Sequence, residues 1–408
     1  MLLPLVGLLA MVKGELYELV VSSGLSVLMA MLEQEREALC GPRYRHDTSR
    51  QASRAGYAPG EVTLGGRRVA VKRPRVRSRD GQEVELPSWK QFASEDPLSQ
   101  RMLEQMMIGV ATRKYNRSLE PLPSGVESRG TSKSAVSRRF VEETTKGLKE
   151  WAERSLAGLS LAVVMLDGIV IGEHTVLAAL GMDEGGRKHI LGFWEGATEN
   201  AAACNALLSN LVERGLDTSR TILFIIDGSK ALAKAIRAVM GKRAKIQRCQ
   251  VHKKRNVLEH LPERRRQSVG EMIETAYRCR DPKRAMDMLK KIARQLEQKH
   301  PSAAASLREG LEETLTVKSL QLPEELERIL STTNAIENLN SVIRHIQRNV
   351  KRWRDGQMVL RWVGAALREA ERGFRRIRGY KDMPRLVAAL RAHDAQLDGP
   401  LEAEKKVA

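Results

Sequence analysis

Cysteine is scarce in this chain: Cys40, Cys204, Cys249 and Cys279 are all there are in 408 residues. Four thiols so widely scattered make no disulfide framework, and a reducing cytoplasm, with the protein at the nucleoid, is the expected setting. No paired CxxC segment occurs, which excludes a zinc site of that type. Long apolar runs are missing too. The run that opens the chain, Met1–Val12, stops at Lys13, whereas a membrane-spanning helix needs about 20 apolar residues. It also lacks the positive leading segment of a signal peptide, so it reads as an irregular lead-in to a helix and no membrane partner is expected. Acids are in deficit as well: 50 stand against 69 Lys and Arg, giving a net charge of +19 and an isoelectric point near 10.0. That balance favours a polyanionic partner such as nucleic acid. The length allows two or three domains with buried cores.

What is present begins with helical periodicity. From Glu15 to Leu39 the apolar residues Leu16, Leu19, Val20, Leu25, Leu28, Met31 and Leu32 recur near helical spacing, a helix or helix pair whose buried face a partner chain could cover. From Arg43 to Arg79, eleven Lys or Arg face two acids, Asp47 and Glu61. Short β-like pieces, EVTLGG and RRVAVKRPRVR, lie within this segment. It is either a charged edge that resists aggregation or a nucleic-acid contact, and the dominance of basic residues favours the contact. GTSKSAVSRRFVEETTKGL, Gly130 to Leu148, has the form of the second helix of a helix-turn-helix. Ser132 or Thr131 caps it, Val136 and Phe140 face inward, and Lys133, Ser134, Ser137, Arg138 and Arg139 are free to meet DNA. Any capped amphipathic surface helix shares most of this pattern.

Past Trp151 the texture becomes α/β. Strand candidates are Leu161–Leu166, Thr175–Leu180, His189–Trp194, Thr221–Ile226 and Ala244–Gln247, with a helix from Glu199 to Arg214 between the third and fourth. Turns link the first three into an antiparallel meander, and the helix makes the fourth a parallel crossover. That is a ribonuclease H-like order. From Val257 to Leu330 the pattern is all-helical, charged and broken at Pro262, Pro282, Pro301 and Pro323, which reads as an insertion. Helical pattern continues through STTNAIENLNSVIRHIQRNVKRWRDGQMVLRWVGAALRE, and the chain closes on a polar tail, GPLEAEKKVA.

Two apolar strands end alike, LAVVMLDG at Asp167-Gly168 and TILFIIDG at Asp227-Gly228. Asp-Gly after a strand is ordinarily a turn. Two such acids on neighbouring strand ends can instead share a divalent metal, because the carboxyl ends of strands in open α/β sheets are where ligands bind. Glu337, in TTNAIENLN, is the third candidate. If Asn334 is the N-cap, Glu337 competes as the third-position acid of a capping box. The helix that follows buries Ile336, Leu339, Ile343, Ile346 and Val350, leaving Glu337, Ser341, Arg344 and Arg348 as an adjacent stripe suited to a metal and a phosphate track.

LDG, FWEGATEN (Phe193 to Asn200), FIIDG, RCQVHKKRNVLEHLP (Arg248 to Pro262) and TTNAIENLN, in that order, resemble the Mutator-type transposases of bacterial insertion sequences, and the match runs through most of the chain. The resemblance implies a ribonuclease H-like catalytic core, a mixed sheet flanked by helices, interrupted by an all-helical insertion and preceded by a mostly helical DNA-binding region. It implies a catalytic, metal-holding triad at Asp167, Asp227 and Glu337, with two Mg²⁺ ions for which Mn²⁺ substitutes. It also draws attention to Cys249 and His252, whose CxxH spacing is half of a zinc site without a second pair, so a structural or DNA-positioning role beside the active site is favoured. Trp194 is a base-stacking candidate, though a strand tryptophan is more often core. Residues 1–115 are then a helical, basic, dimerising or DNA-binding region, and 116–150 the helix-turn-helix-like segment. Residues 159–257 and 331–380 are the two parts of the core, 258–330 the insertion and 381–408 the tail.

The activity expected is DNA cleavage and strand transfer at terminal inverted repeats by a homodimer or higher synaptic assembly on double-stranded transposon ends and target DNA. Lys351, Arg352 and Arg354 join Arg344 and Arg348 on backbone phosphates. A structure-specific nuclease of the same fold and a domesticated repressor without chemistry are the alternatives. Joined products in Mg²⁺ separate all three.

Overall fold

The computed structural model describes residues 3–45, 50–64, 67–94, 100–119, 122, 125–129, 132–196, 201–348 and 350–399. The alternative helix cap Thr131, the Ala197–Asn200 end of FWEGATEN and the tail beyond Gly399 lie outside them. The chain divides into two compact units, Met1–Glu143 and Thr144–Ala408.

The first unit opens on one helix, α1 (Leu3–Cys40). The apolar opening is therefore helical from Leu3 rather than an irregular lead-in, and Pro4 falls in the first turn, where a missing N–H costs nothing. The basic segment forms a long antiparallel hairpin, β1 (Ala52–Leu64) and β2 (Arg67–Ser78), in place of short pieces. Val62 and Val76 of the hairpin pack with Leu28 and Leu32 of α1, while Arg73, Arg75 and Arg77 alternate with the buried Pro74 and Val76. Two short strands, β3 (Glu83–Val84) and β4 (Ser128–Arg129), extend the sheet at β2. Helices α2 (Pro87–Ser94) and α3 (Gln100–Met107) and a 3₁₀ turn at Thr112–Ser118 lie between them.

Helix α4 (Lys133–Ala152) follows, capped by the Ser132 hydroxyl, which accepts from the Ala135 amide at 3.1 Å. Its inward Val136 and Phe140 are buried as the sequence pattern requires. Among the described residues, however, it does not follow another helix across the three- or four-residue turn of a helix-turn-helix. Ser128–Arg129 are drawn into the sheet edge at β2, with the Ala70 amide donating to the Glu127 carbonyl, so a strand stands where the first helix would end.

In the second unit the apolar runs become β5 (Leu161–Ile171), β6 (His174–Asp183), β7 (Lys188–Gly196), β8 (Ile222–Ile226) and β9 (Ala244–Arg248). They form a mixed five-stranded sheet in the order β7-β6-β5-β8-β9, the first three antiparallel and the last two parallel to β5. Helix α5 (Ala201–Glu213) makes the crossover to β8, and α6 (Lys230–Met240) the crossover to β9. Their apolar faces cover the sheet through Leu207, Leu208, Leu211, Leu232 and Ile236 against Val164, Leu166, Phe224 and Ile226. The two central strands are apolar on both faces because both faces are buried.

An all-helical run follows: α7 (Gln250–Glu259), α8 (Glu263–Arg278), α9 (Pro282–Glu297), α10 (Pro301–Arg308), α11 (Thr316–Ser319) and α12 (Glu324–Leu330). Each proline that interrupts the sequence pattern sits at a helix start, Pro262 and Pro323 as caps and Pro282 and Pro301 at the first helical positions. Four of these helices, α7 to α10, share a core of their own around Leu289, Ala293 and Leu307. Helices α13 (Asn334–Gln347), α14 (Gly356–Arg372) and α15 (Met383–Asp398) then return to the sheet, so the first part of the stretch expected as a tail from residue 381 is instead a packed helix that buries Met383, Leu386 and Leu390.

Candidate active site

The sheet register brings the site together. Leu166 of β5 is the parallel partner of Ile226 of β8, and Ile226 is the partner of Arg248 of β9. The residues that follow are Asp167, Asp227 and Cys249, so an acid, an acid and a thiol stand at one level on three adjacent strands. Asp227 and Cys249 lie just past the ends of β8 and β9, whereas β5 runs on through Asp167 to Ile171, so Asp167-Gly168 is not the turn its sequence pattern suggests. Neighbouring strands lie about 4.8 Å apart. The Cys249 amide donates to the Ile226 carbonyl at 2.8 Å, fixing the exit of β9 against that of β8. Gly228, at φ +128°, lets the chain turn away after Asp227, whose carboxylate accepts from the Ser229 amide at 3.0 Å.

Helix α13 supplies the third acid. Glu337 is half-buried at its start, and Asn340, one turn on and fully buried, donates from Nδ2 to Asp167 Oδ2 at 2.8 Å. The helix begins at Asn334 with Thr333 as its cap, one residue earlier than an Asn334 cap would give, so Glu337 is the fourth helical residue. Its carboxylate takes the Thr333 hydroxyl at 2.5 Å and lies 3.8 Å from His252 Nδ1. The capping-box arrangement, in which the acid reaches back to the cap amide, is replaced by a side-chain contact. Val350 is only half-buried, while Asn340 and Gln347 join Ile336, Leu339, Ile343 and Ile346 on the inward face.

The electrostatics follow from this crowding. Burial pushes the Asp167 carboxyl up to about 7; the charge of Asp227 adds to the shift, Gly168 and His252 oppose it, and Glu337 adds a smaller push. Burial would also raise the Cys249 thiol, but hydrogen bonds with His252 and Thr333 outweigh it and hold the thiol below its ordinary value. The same bond to Cys249 is the main cause that raises His252, against burial and with help from Cys249, Glu337 and Asp227. Among the described residues, the group whose donor atoms all lie within 4.8 Å of one another is Cys249, His252 and Glu337, not the three acids.

The cationic candidates are placed as follows. Lys133, Ser134, Ser137 and Arg138 are exposed on the first two turns of α4, whereas Arg139 is half-buried and paired with Glu142 at 2.8 Å and Glu143 at 2.9 Å. Arg344, Arg348, Lys351, Arg352 and Arg354 are exposed, and Arg348 meets the His345 ring at 3.2 Å. Trp194 is 39% exposed on β7, so the core reading of this residue fails. Asn340 and Thr333 were not among the sequence candidates; for Asn340 the available signal was a polar residue three positions from Glu337 on the buried side of the helix.

The second unit is thus a mixed five-stranded sheet flanked by helices, with Asp167 of β5 level with Asp227 just past β8, and Glu337 on a helix packed against β5. The chain belongs to the Mutator family of transposases, whose family model matches residues 12–376. It is similar to the transposase for insertion sequence element IS256 in transposon Tn4001 of Staphylococcus aureus, at 28% identity over 84% of this chain and 87% of that protein. The transposase for insertion sequence element ISRM5 of Rhizobium meliloti is 29% identical over 88% of this chain and 89% of its own length. That for IS1081 of Mycobacterium tuberculosis is 26% identical, with 89% and 88% covered. The chain is accordingly a transposase, an enzyme that cuts and transfers DNA strands. Among the described residues no helix is long and apolar enough to cross a membrane.

Proposed function

We propose that this transposase binds the terminal inverted repeats of an insertion sequence and carries out Mg²⁺-dependent cleavage and strand transfer from a ribonuclease H-like core. The observation that carries the reading is the register that sets Asp167 of β5 level with Asp227 at the end of β8, with Glu337 close enough to raise the Asp167 carboxyl further. The strand order, three antiparallel then two parallel with a helical run after the last, supports the ribonuclease H-like assignment.

The donor set fits Mg²⁺. It consists of hard oxygens, and the mutual repulsion of Asp167 and Asp227 is what a bound divalent cation relieves. Asp167, Asp227 and Glu337 would hold two Mg²⁺ ions, or Mn²⁺ in their place. When bound, such ions supply a Lewis acid at the attacking and leaving oxygens of an in-line displacement. The protein's own part is orientation: Asn340 fixes the Asp167 carboxylate and Thr333 that of Glu337. Exposed Lys133, Ser134, Ser137 and Arg138, and on the catalytic unit Arg344, Arg348, Lys351, Arg352 and Arg354, offer phosphate contacts. Arg139 is the weaker candidate, its charge being answered on its own helix. A homodimer or larger assembly would hold two ends together.

The test is incubation of the full chain with Mg²⁺, the element's end sequence and a target plasmid. Wild type should give joined products; Asp167→Asn and Asp227→Asn should give neither cuts nor joints while still retarding end DNA. Cuts without joints would make the protein a nuclease, and cleavage by either variant would defeat the metal-holding assignment.

A further inference from the structure

Cys249 and His252 take no part in the reaction as derived, yet they converge with Glu337 on one point. Cys249 leaves β9 at the head of α7, and His252 lies three residues on, so both side chains fall on one face of the first turn. Glu337 meets them from α13, its Oε1 3.8 Å from His252 Nδ1, and the three donor atoms all lie within 4.8 Å of one another. Tetrahedral bonds of the usual zinc lengths place donors about 3.3 to 3.8 Å apart, so small side-chain shifts close the set. The second half of the zinc site that the CxxH spacing lacked is thus partly supplied by a carboxylate from a different helix.

We propose that Cys249, His252 and Glu337 form a binding site for a soft divalent cation of the Zn²⁺ class, and that filling it withdraws Glu337 from the catalytic centre and halts DNA cleavage. The inhibitory half rests on the catalytic reading of Glu337; the binding half does not. The chemistry separates the two metals. Thiolate and imidazole select zinc-like ions, whereas Mg²⁺ takes oxygen donors. Asp167 and Asp227 offer oxygen only, so Glu337 is the shared ligand for which the two sites compete. Cys249 is fully buried and closes the floor, while the His252 and Glu337 side chains are 22% and 39% exposed and leave an entrance. Three protein donors with a fourth position left to water make an exchangeable site rather than a closed structural one. The Thr333 hydroxyl, 3.3 Å from His252 Nδ1 and 2.5 Å from Glu337 Oε1, holds the two donors together in the absence of an ion.

Cobalt(II) reports the site directly. Titrated into the full-length, Mg²⁺-free protein, it should give tetrahedral d–d bands and a thiolate-to-cobalt charge-transfer band at one ion per chain, both erased by Zn²⁺. Cys249→Ser should abolish the charge-transfer band, and His252→Gln and Glu337→Gln should each weaken cobalt binding tenfold or more. Zn²⁺ added to the Mg²⁺ reaction should stop cleavage, a chelator selective for zinc should restore it, and end binding should persist throughout. A wild-type protein without the thiolate band, or a band that survives Cys249→Ser, overturns the site. A Glu337→Gln enzyme that cleaves DNA in Mg²⁺ overturns the catalytic reading, and with it the inhibition.

Discussion

Asp167 is the residue at which burial and charge act together most strongly, and its consequence is a pH dependence. Its carboxyl sits at about 7 in the folded protein against 3.8 in the reference state. Between those values the unfolded chain has lost the proton and the folded chain has kept it, so stability falls as pH rises across that window and levels off above it. The full shift corresponds to at most about 4 kcal/mol. In chelator, the stability of Asp167→Asn relative to wild type should therefore rise from pH 4 to pH 7, read from denaturant midpoints, and Mg²⁺ should erase the gain. A difference that stays flat with pH would remove Asp167 from its repulsive neighbourhood. Glu337 gives a second prediction. Its bond from Thr333 needs only an oxygen, which Gln keeps, so Glu337→Gln should hold stability within about 0.5 kcal/mol. Cleavage should nevertheless be lost, because the charge that attracts a hard cation is gone. Active Glu337→Gln enzyme in Mg²⁺ would return this residue to a structural role. The two aspartates were legible in the sequence because an apolar run closed by Asp-Gly is a local pattern, although only Asp227 follows a strand end and β5 continues through Asp167. Asn340 was not, since its partner lies 173 residues away, and Thr333, though only four residues from Glu337, also meets His252 81 residues away, which no local pattern encodes.

The elements depend on one another most where the helical run rejoins the sheet. Arg248, at the end of β9, donates from Nη1 to the Gly228 carbonyl at 3.2 Å and pairs through Nε with Glu313. One guanidinium thus ties the turn after Asp227 to the segment beyond α10. Gly310 makes room for it: its φ is +58°, and a Cβ there would lie 2.4 Å from Arg248 Nε. Gly310→Ala should cost about 1–3 kcal/mol in strain and displacement, and should lower cleavage by loosening the Asp227 turn. Gly241→Ala provides the comparison, with φ +55° but nothing within 4 Å of the added carbon. It should destabilise the protein without a specific loss of cleavage, and equal loss in both would mean that Arg248 does not steady the site. The strands and proline-started helices could be read from the sequence because apolar runs and prolines act within a few residues. The helix-turn-helix form failed for the opposite reason. Whether Ser128–Arg129 join a turn or a sheet depends on an edge offered by β2, about 60 residues earlier in the chain.

For the whole molecule the dominant quantity is charge. A net +19 is not spread evenly, since many cations are answered at home: Arg75 by Glu83, Arg154 by Glu371, Arg243 by Asp394 and Asp398. Among the described residues, Arg344, Lys351, Arg352 and Arg354 follow Glu337 along the chain, stand exposed and have no such partner. A run of free cations beside a carboxylate site suits a duplex whose phosphates lie along the run while one phosphodiester enters the site. Neutralising each phosphate releases condensed counterions, so affinity must fall with salt. Six to ten contacts imply a drop of about 10³ to 10⁵ between 50 and 200 mM salt. Replacing Arg352 and Arg354 together by Gln should reduce the slope of log affinity against log salt by about 2, equally for end DNA and random DNA, because phosphate contacts carry no sequence information. Fluorescence anisotropy across a salt series reads both slopes. An unchanged slope would take these arginines off the DNA path, and a loss confined to end DNA would make them base readers instead.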